Sequence, residues 1–239
     1  HSRLLVSLLV IVSVAVVALL GSGSTSSRRS AAAAPRATAD LSALVERFSA
    51  RGSRDVVRRL EREAESRPGD VDLLAALGVG YQQLFRELGD PSWLSRAQVA
   101  LRRSTAGGRP TAVALTGLAQ LAVSQHRFRS AILLARQALR SEPDNTAALG
   151  ALADGLVNTG RYREAHAVID RMVGVGPSVA AYARVSFVRW SLGRRAAALD
   201  AMELALEAGS GIPEQGAWAR VQHGTMLLAL GRLDQAAAS

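Results

Sequence analysis

Between Leu115 and Pro177 the chain repeats itself with a period of 34 residues, a period the unit from Ala180 departs from by one residue fewer before Gly193 and a longer exit loop at 209–213. Leu115, Leu118, Ala119, Phe128, Ala131 and Pro143 return as Leu149, Leu152, Ala153, Tyr162, Ala165 and Pro177, and Arg127 and Arg129 return as Arg161 and Arg163. A unit this short cannot bury a core alone, so its copies must stack on one another. Within each unit the apolar positions follow a helical period, and a Gly (Gly160, Gly193, Gly231) interrupts them near the middle. The unit is therefore two helices joined by a tight turn. Composition agrees: 49% of residues are apolar but only 4% aromatic, which favours packed Ala- and Leu-rich helices over an aromatic sheet.

The segment Leu74-x-x-Leu77-Gly78-x-x-Tyr81 opens one such unit. Gly78, Ala119, Ala153 and Gly224 place small residues where the two helices of a unit cross. Ala97, Ala131, Ala165, Ala198 and Ala236 do the same early in the second helices, and Pro68, Pro143 and Pro177 close units. This pattern resembles the tetratricopeptide repeat, a 34-residue helix–turn–helix unit, with Leu74 where Trp is commoner. The resemblance spans about Asp40 to Ser239 and implies an all-α fold, an α-solenoid of stacked hairpins. Full repeats are expected at 71–111, 112–145, 146–179 and 180–216, a degenerate one at 41–69 and a truncated one at 217–239. The repeat at 71 carries extra residues near Leu84 to Asp90, so its first helix should run to about Leu88 and turn at Gly89-Asp90-Pro91. No polar capping helix closes the array, and a further stretch of protein is expected on both sides of this chain.

Solenoids of this family bind protein or peptide partners in a concave groove lined by first helices. By that resemblance the groove residues here are Asp72, Gln82, Gln83, Thr116, Gln120, Asp154, Asn158, Arg184 and Trp218, with Asn158, Gln120, Arg184 and Trp218 as the main contacts. Some relatives grip a peptide's C-terminal carboxylate with Lys, Asn and Arg. The matching places hold Ala75, Val79, Thr116 and Gln120, and the chain has no Lys, so that mode is not expected.

Two segments precede the repeats. Leu4 to Leu20 is an apolar run broken only by Ser7 and Ser13. As a helix it would measure about 25 Å, the short edge of a bilayer-spanning length. No good small-x-small cleavage site follows, so residues 1–20 read as an uncleaved signal anchor, with a cleaved signal peptide as the alternative. Residues 21–39 are rich in Gly, Ser and Ala and read as a flexible tether. Arg28, Arg29 and Arg36 after the run would, taken literally, hold the repeats in the cytoplasm. Residues before His1 would carry the deciding charges, and the expected arrangement is a membrane-anchored, extracytoplasmic repeat domain in a bacterial envelope.

The net charge of +9 comes entirely from Arg, with the signs mixed along the chain. A solvated helical surface accounts for this, so no specific nucleic-acid partner is expected, although weak binding to anionic lipid or polyanions is permitted. The absence of Cys excludes disulfides and thiol chemistry. His1, His126, His166 and His223 show no metal-ligand spacing, and the Gly strings at 21–23 and 209–211 lack the Lys and strand context of a phosphate loop. No catalytic residue, cofactor or metal is expected. The reading is a membrane-tethered interaction module, an adaptor or assembly scaffold. Its alternative is the substrate-recruiting part of a larger enzyme, such as a glycosyltransferase, with the chemistry elsewhere.

Overall fold

The computed structural model describes residues 52–239, apart from 107, 109, 211 and 212. The anchor and tether expected at 1–20 and 21–39, and the start of the degenerate repeat, lie outside the described residues. Those described form helices and no strands. In chain order they are α1 (Ser53–Ser66), α2 (Val71–Leu88), α3 (Ser92–Thr105), α4 (Ala112–Ser124), α5 (Phe128–Ser141), α6 (Thr146–Asn158), α7 (Tyr162–Val175), α8 (Val179–Ser191), α9 (Arg195–Ala208), α10 (Pro213–Ala229) and α11 (Leu233–Ala238).

The helices pair as hairpins, α2 with α3, α4 with α5, α6 with α7, α8 with α9 and α10 with α11, and each hairpin packs only on its neighbours. The result is an α-solenoid with first helices in one layer and second helices in the other. The two ends of the hairpins are built differently. Each of the first helices α2 to α8 starts from a side-chain cap. Asp70, Thr111, Asn145 and Ser178 accept from the backbone N–H three residues on, at 3.0, 3.3, 2.9 and 3.2 Å. The second helices start with no side-chain cap and instead emerge from a tight turn. In four of these turns an Arg backbone N–H reaches back five residues: Arg127 to Ala122, Arg161 to Leu156, Arg194 to Arg189 and Arg232 to Leu227, at 2.8–3.0 Å. The residue before each Arg is left-handed, as such a closure requires. It is Gly160, at φ 76°, in the α6–α7 turn and His126, at φ 56°, in the α4–α5 turn. Helix α2 runs to Leu88 as its inserted residues suggest, and the left-handed Gly89 ends it.

Small residues hold the layers together. Ala97, Ala131, Ala165 and Ala198 are fully buried at the crossings. A Cβ on Gly78 would lie 2.5 Å from Leu101 Cγ, so the α2–α3 crossing admits nothing larger than hydrogen. Gly224 is less constrained: its nearest neighbour would be Ala236 O at 3.6 Å, an ordinary contact. Apolar burial between the layers falls into successive clusters, with Leu84, Leu101, Leu121, Leu149, Leu156 and Met172 among the largest buried side chains.

Candidate partner-binding surface

The first helices stand side by side, and the sequence places its groove candidates on them. Gln82, Gln83, Thr116, Gln120, Asp154 and Arg184 are buried. Asp72, Asn158 and Trp218 are half-buried. For three of the buried residues the reason is visible, because they join one first helix to the next. Gln82 of α2 donates from Nε2 to the Gly117 carbonyl of α4 at 3.1 Å. Arg184 of α8 makes a two-pronged pair with Asp154 of α6. Its Nε donates to Oδ1 at 2.9 Å and its Nη2 to Oδ2 at 2.7 Å, while Nη1 donates to the Ala180 carbonyl at 2.8 Å. Gly150 of α6 makes room, since a Cβ there would lie 3.1 Å from the guanidinium. Burial pushes the Asp154 carboxyl above its ordinary range, against the pull of Arg184. Arg184, expected to anchor a partner, thus has its guanidinium engaged within the chain. Asn158 also bonds internally, from Nδ2 to the Asp154 carbonyl at 2.8 Å.

Residues 122–185 match the sequence model of the family described as Tetratricopeptide repeat. Among solved structures, a thermophilic TPR protein of Thermus thermophilus superposes with a TM-score of 0.64 at 16% identity, over 78% of this chain and 96% of that one. MamA superposes with a TM-score of 0.50 at 16% identity, over 72% of this chain and 96% of that one. Residues 122–185 carry the tetratricopeptide-repeat match, and the described residues share the fold of these solved arrays. No curated protein matches the chain.

The array has further surface features. A groove of about 720 Å³ runs between α1 and α3 over α2, lined by Glu61, Glu65, Leu77, Tyr81, Arg96 and Val99 among others. Tyr81 stacks on Trp93 at 5.7 Å and donates to Glu61 at 2.7 Å; burial and the Glu61 carboxylate push its phenol upward. Arg96 covers the Trp93 ring at 4.7 Å. The histidines fall into local contacts. His126 meets Phe128 edge-on, His166 Nδ1 lies 2.8 Å from Asp170 and His223 Nδ1 lies 3.0 Å from Ser239 Oγ. Among the described residues no three His, Asp or Glu converge as a metal would need, and no helix is long and apolar enough to cross a membrane.

Sequence reading did not foresee the Asp154–Arg184 pair. Its signal was present: opposite charges 30 residues apart on successive first helices. An offset close to one repeat brings such residues face to face across a seam.

Proposed function

We propose that this chain is a protein–protein interaction module that holds a partner peptide or helix along its first-helix layer, as an adaptor or assembly scaffold. Residues 4–20 tether it to a membrane, with the repeats on the extracytoplasmic side. The observation that supports the reading is the unbroken row of first helices α2, α4, α6, α8 and α10, a long surface of the kind on which solenoids bind extended partners. Of the four main candidate contacts, Asn158 and Trp218 keep part of their surface open. Aromatic side chains are common energetic anchors, which gives Trp218 the larger expected share.

The test is site-specific photo-crosslinking in the native envelope. A photoreactive residue at Asn158 or Trp218 should yield one common adduct. The same probe at Val99 or Leu133, exposed on the second helices, should not. Adducts from the second-helix positions alone would place the binding surface on the other face and end this assignment.

A further inference from the structure

The array has one edge whose chemistry differs from the rest. Antiparallel pairing puts every turn inside a hairpin at the same end of the helices, and the last four of those turns are 124–130, 158–164, 191–197 and 229–235. Together they hold seven arginines and two acids. Arg129, Arg163, Arg194 and Arg232 are exposed and form no ion pair among the described residues. Of the acids, Glu164 is engaged by Arg161 at 2.6 Å and by Arg136 at 3.1 Å, which holds its carboxyl low. The opposite edge, made of the loops between hairpins, mixes its signs and pairs them: Arg67 with Asp70 at 2.9 Å and Arg171 with Asp144 at 3.1 Å.

Local contacts account for Arg127, which bonds Gln125, for Arg161, which holds Glu164, and for Arg195, which bonds the Trp190 carbonyl and covers its ring, but not for Arg129, Arg163, Arg194 and Arg232. Arg127, Arg161, Arg194 and Arg232 sit at the N-caps of second helices, and Arg129 and Arg163 lie in the first turns. A helix N-terminus carries partial positive charge and favours acids, so each Arg there works against its own helix. A local rule broken at successive turns points to a role outside the helices. The same edge also exposes large apolar side chains between the arginines. Tyr162 is 49% exposed, Leu192 56% and Leu233 64%, and Leu230 lies with them. Nucleic acid would be met by arginines alone or with stacking aromatics. Aliphatic side chains interleaved with arginines match the boundary between lipid headgroups and acyl chains, where the guanidinium meets phosphate and the apolar tip goes deeper.

We propose that this turn edge seats on the surface of a bilayer that carries anionic lipid. The array would then lie with its hairpin turns against the headgroups and its Asp70 and Asp144 edge facing away. This docking is independent of any tether at residues 4–20.

The chain has no Cys, so single labels are clean. The full chain, carrying a spin label at Leu192→Cys or at Asp144→Cys, is mixed with vesicles of phosphatidylcholine alone or with about 30% phosphatidylglycerol. Flotation reports association, and collision with a water-soluble relaxant reports shielding of the label. The expected result is shielding at Leu192→Cys only, with anionic vesicles only, reversed by about 0.5 M salt. Reversing Arg129, Arg163 and Arg194 to Glu together should abolish it while the helical circular dichroism persists. Flotation with both vesicle types and no shielding at Leu192→Cys would leave the tether standing and overturn the edge. Flotation with anionic vesicles alone, with shielding, would support the edge and reject the tether. Equal shielding at both labels overturns the proposal, as does shielding by single-stranded DNA but not by anionic vesicles. If the reversed variant unfolds, the salt reversal on the unreversed chain decides.

Discussion

Two of the seams between first helices in this array are built on opposite terms. Between α2 and α4 the contact is neutral: one Gln82 amide meets the Gly117 carbonyl, and the bare Gly117 lets Leu101 pack close, with a Cβ there falling 2.7 Å from its Cδ2. Between α6 and α8 the contact is a buried ion pair, and the two backbones stand further apart than those of α2 and α4. Both solve the same problem, which is to dock one hairpin on the next. The neutral seam relies on close approach, whereas the charged seam fills the gap with a large side chain and must then neutralise it. The second arrangement is conditional, because each partner is tolerated in the interior only while the other is present.

The largest expected effect breaks that condition. Asp154→Leu should cost about 3–5 kcal/mol in urea unfolding, because it leaves the Arg184 guanidinium buried without its carboxylate. Adding Arg184→Met should restore most of the loss, and a double-mutant cycle measures the coupling. If the single and double variants lose the same amount, the seam is not conditional.

Next comes the close approach itself. Gly78→Ala should destabilise by about 1–3 kcal/mol through the clash with Leu101, while Gly224→Ala at the equivalent crossing of α10 should stay within about 0.5 kcal/mol. Equal losses at the two sites would show that the crossings are equally tight. Third, Gln82→Leu should cost no more than about 1 kcal/mol. It removes one hydrogen bond, but it also removes Oε1, a buried acceptor with no partner.

The smallest effect is in pH. Arg161 holds the Glu164 carboxyl below its ordinary value, so its contribution to stability is present above about pH 4.3 and is lost as pH falls through the folded value. Relative to Glu164→Gln, the wild type should therefore lose stability on acidification. Urea midpoints for both proteins at neutral and acid pH check the direction.

The seams also show where sequence reading reaches and where it stops. The repeat period, the helical class, the extended α2 and the turn glycines were legible because each is set by residues close together in the chain. Leu74, Gly78 and Ala97 report their own local packing. The state of Asp154 and Arg184 was not legible, since it depends on the spacing between two hairpins and on a Gly150 whose importance appears only beside the guanidinium. Polar residues on first helices read equally well as groove or as seam. Gln82 and Arg184 look alike on a helical wheel, and only three-dimensional stacking separates them. The Arg recurrence at the turns was visible too, but a chain whose positive charges are all Arg hides a purposeful row among incidental ones.

Because each hairpin touches only its neighbours, the array has the mechanics of a zip rather than a knot. Pulled by the C-terminal end, α11, with no buried residue, would peel first, and α10 with α9 would follow. The Asp154–Arg184 rung then carries the tension. A guanidinium and a carboxylate parted in the interior would hold longer than the apolar packing of α9 and α10, so the force trace should pause there.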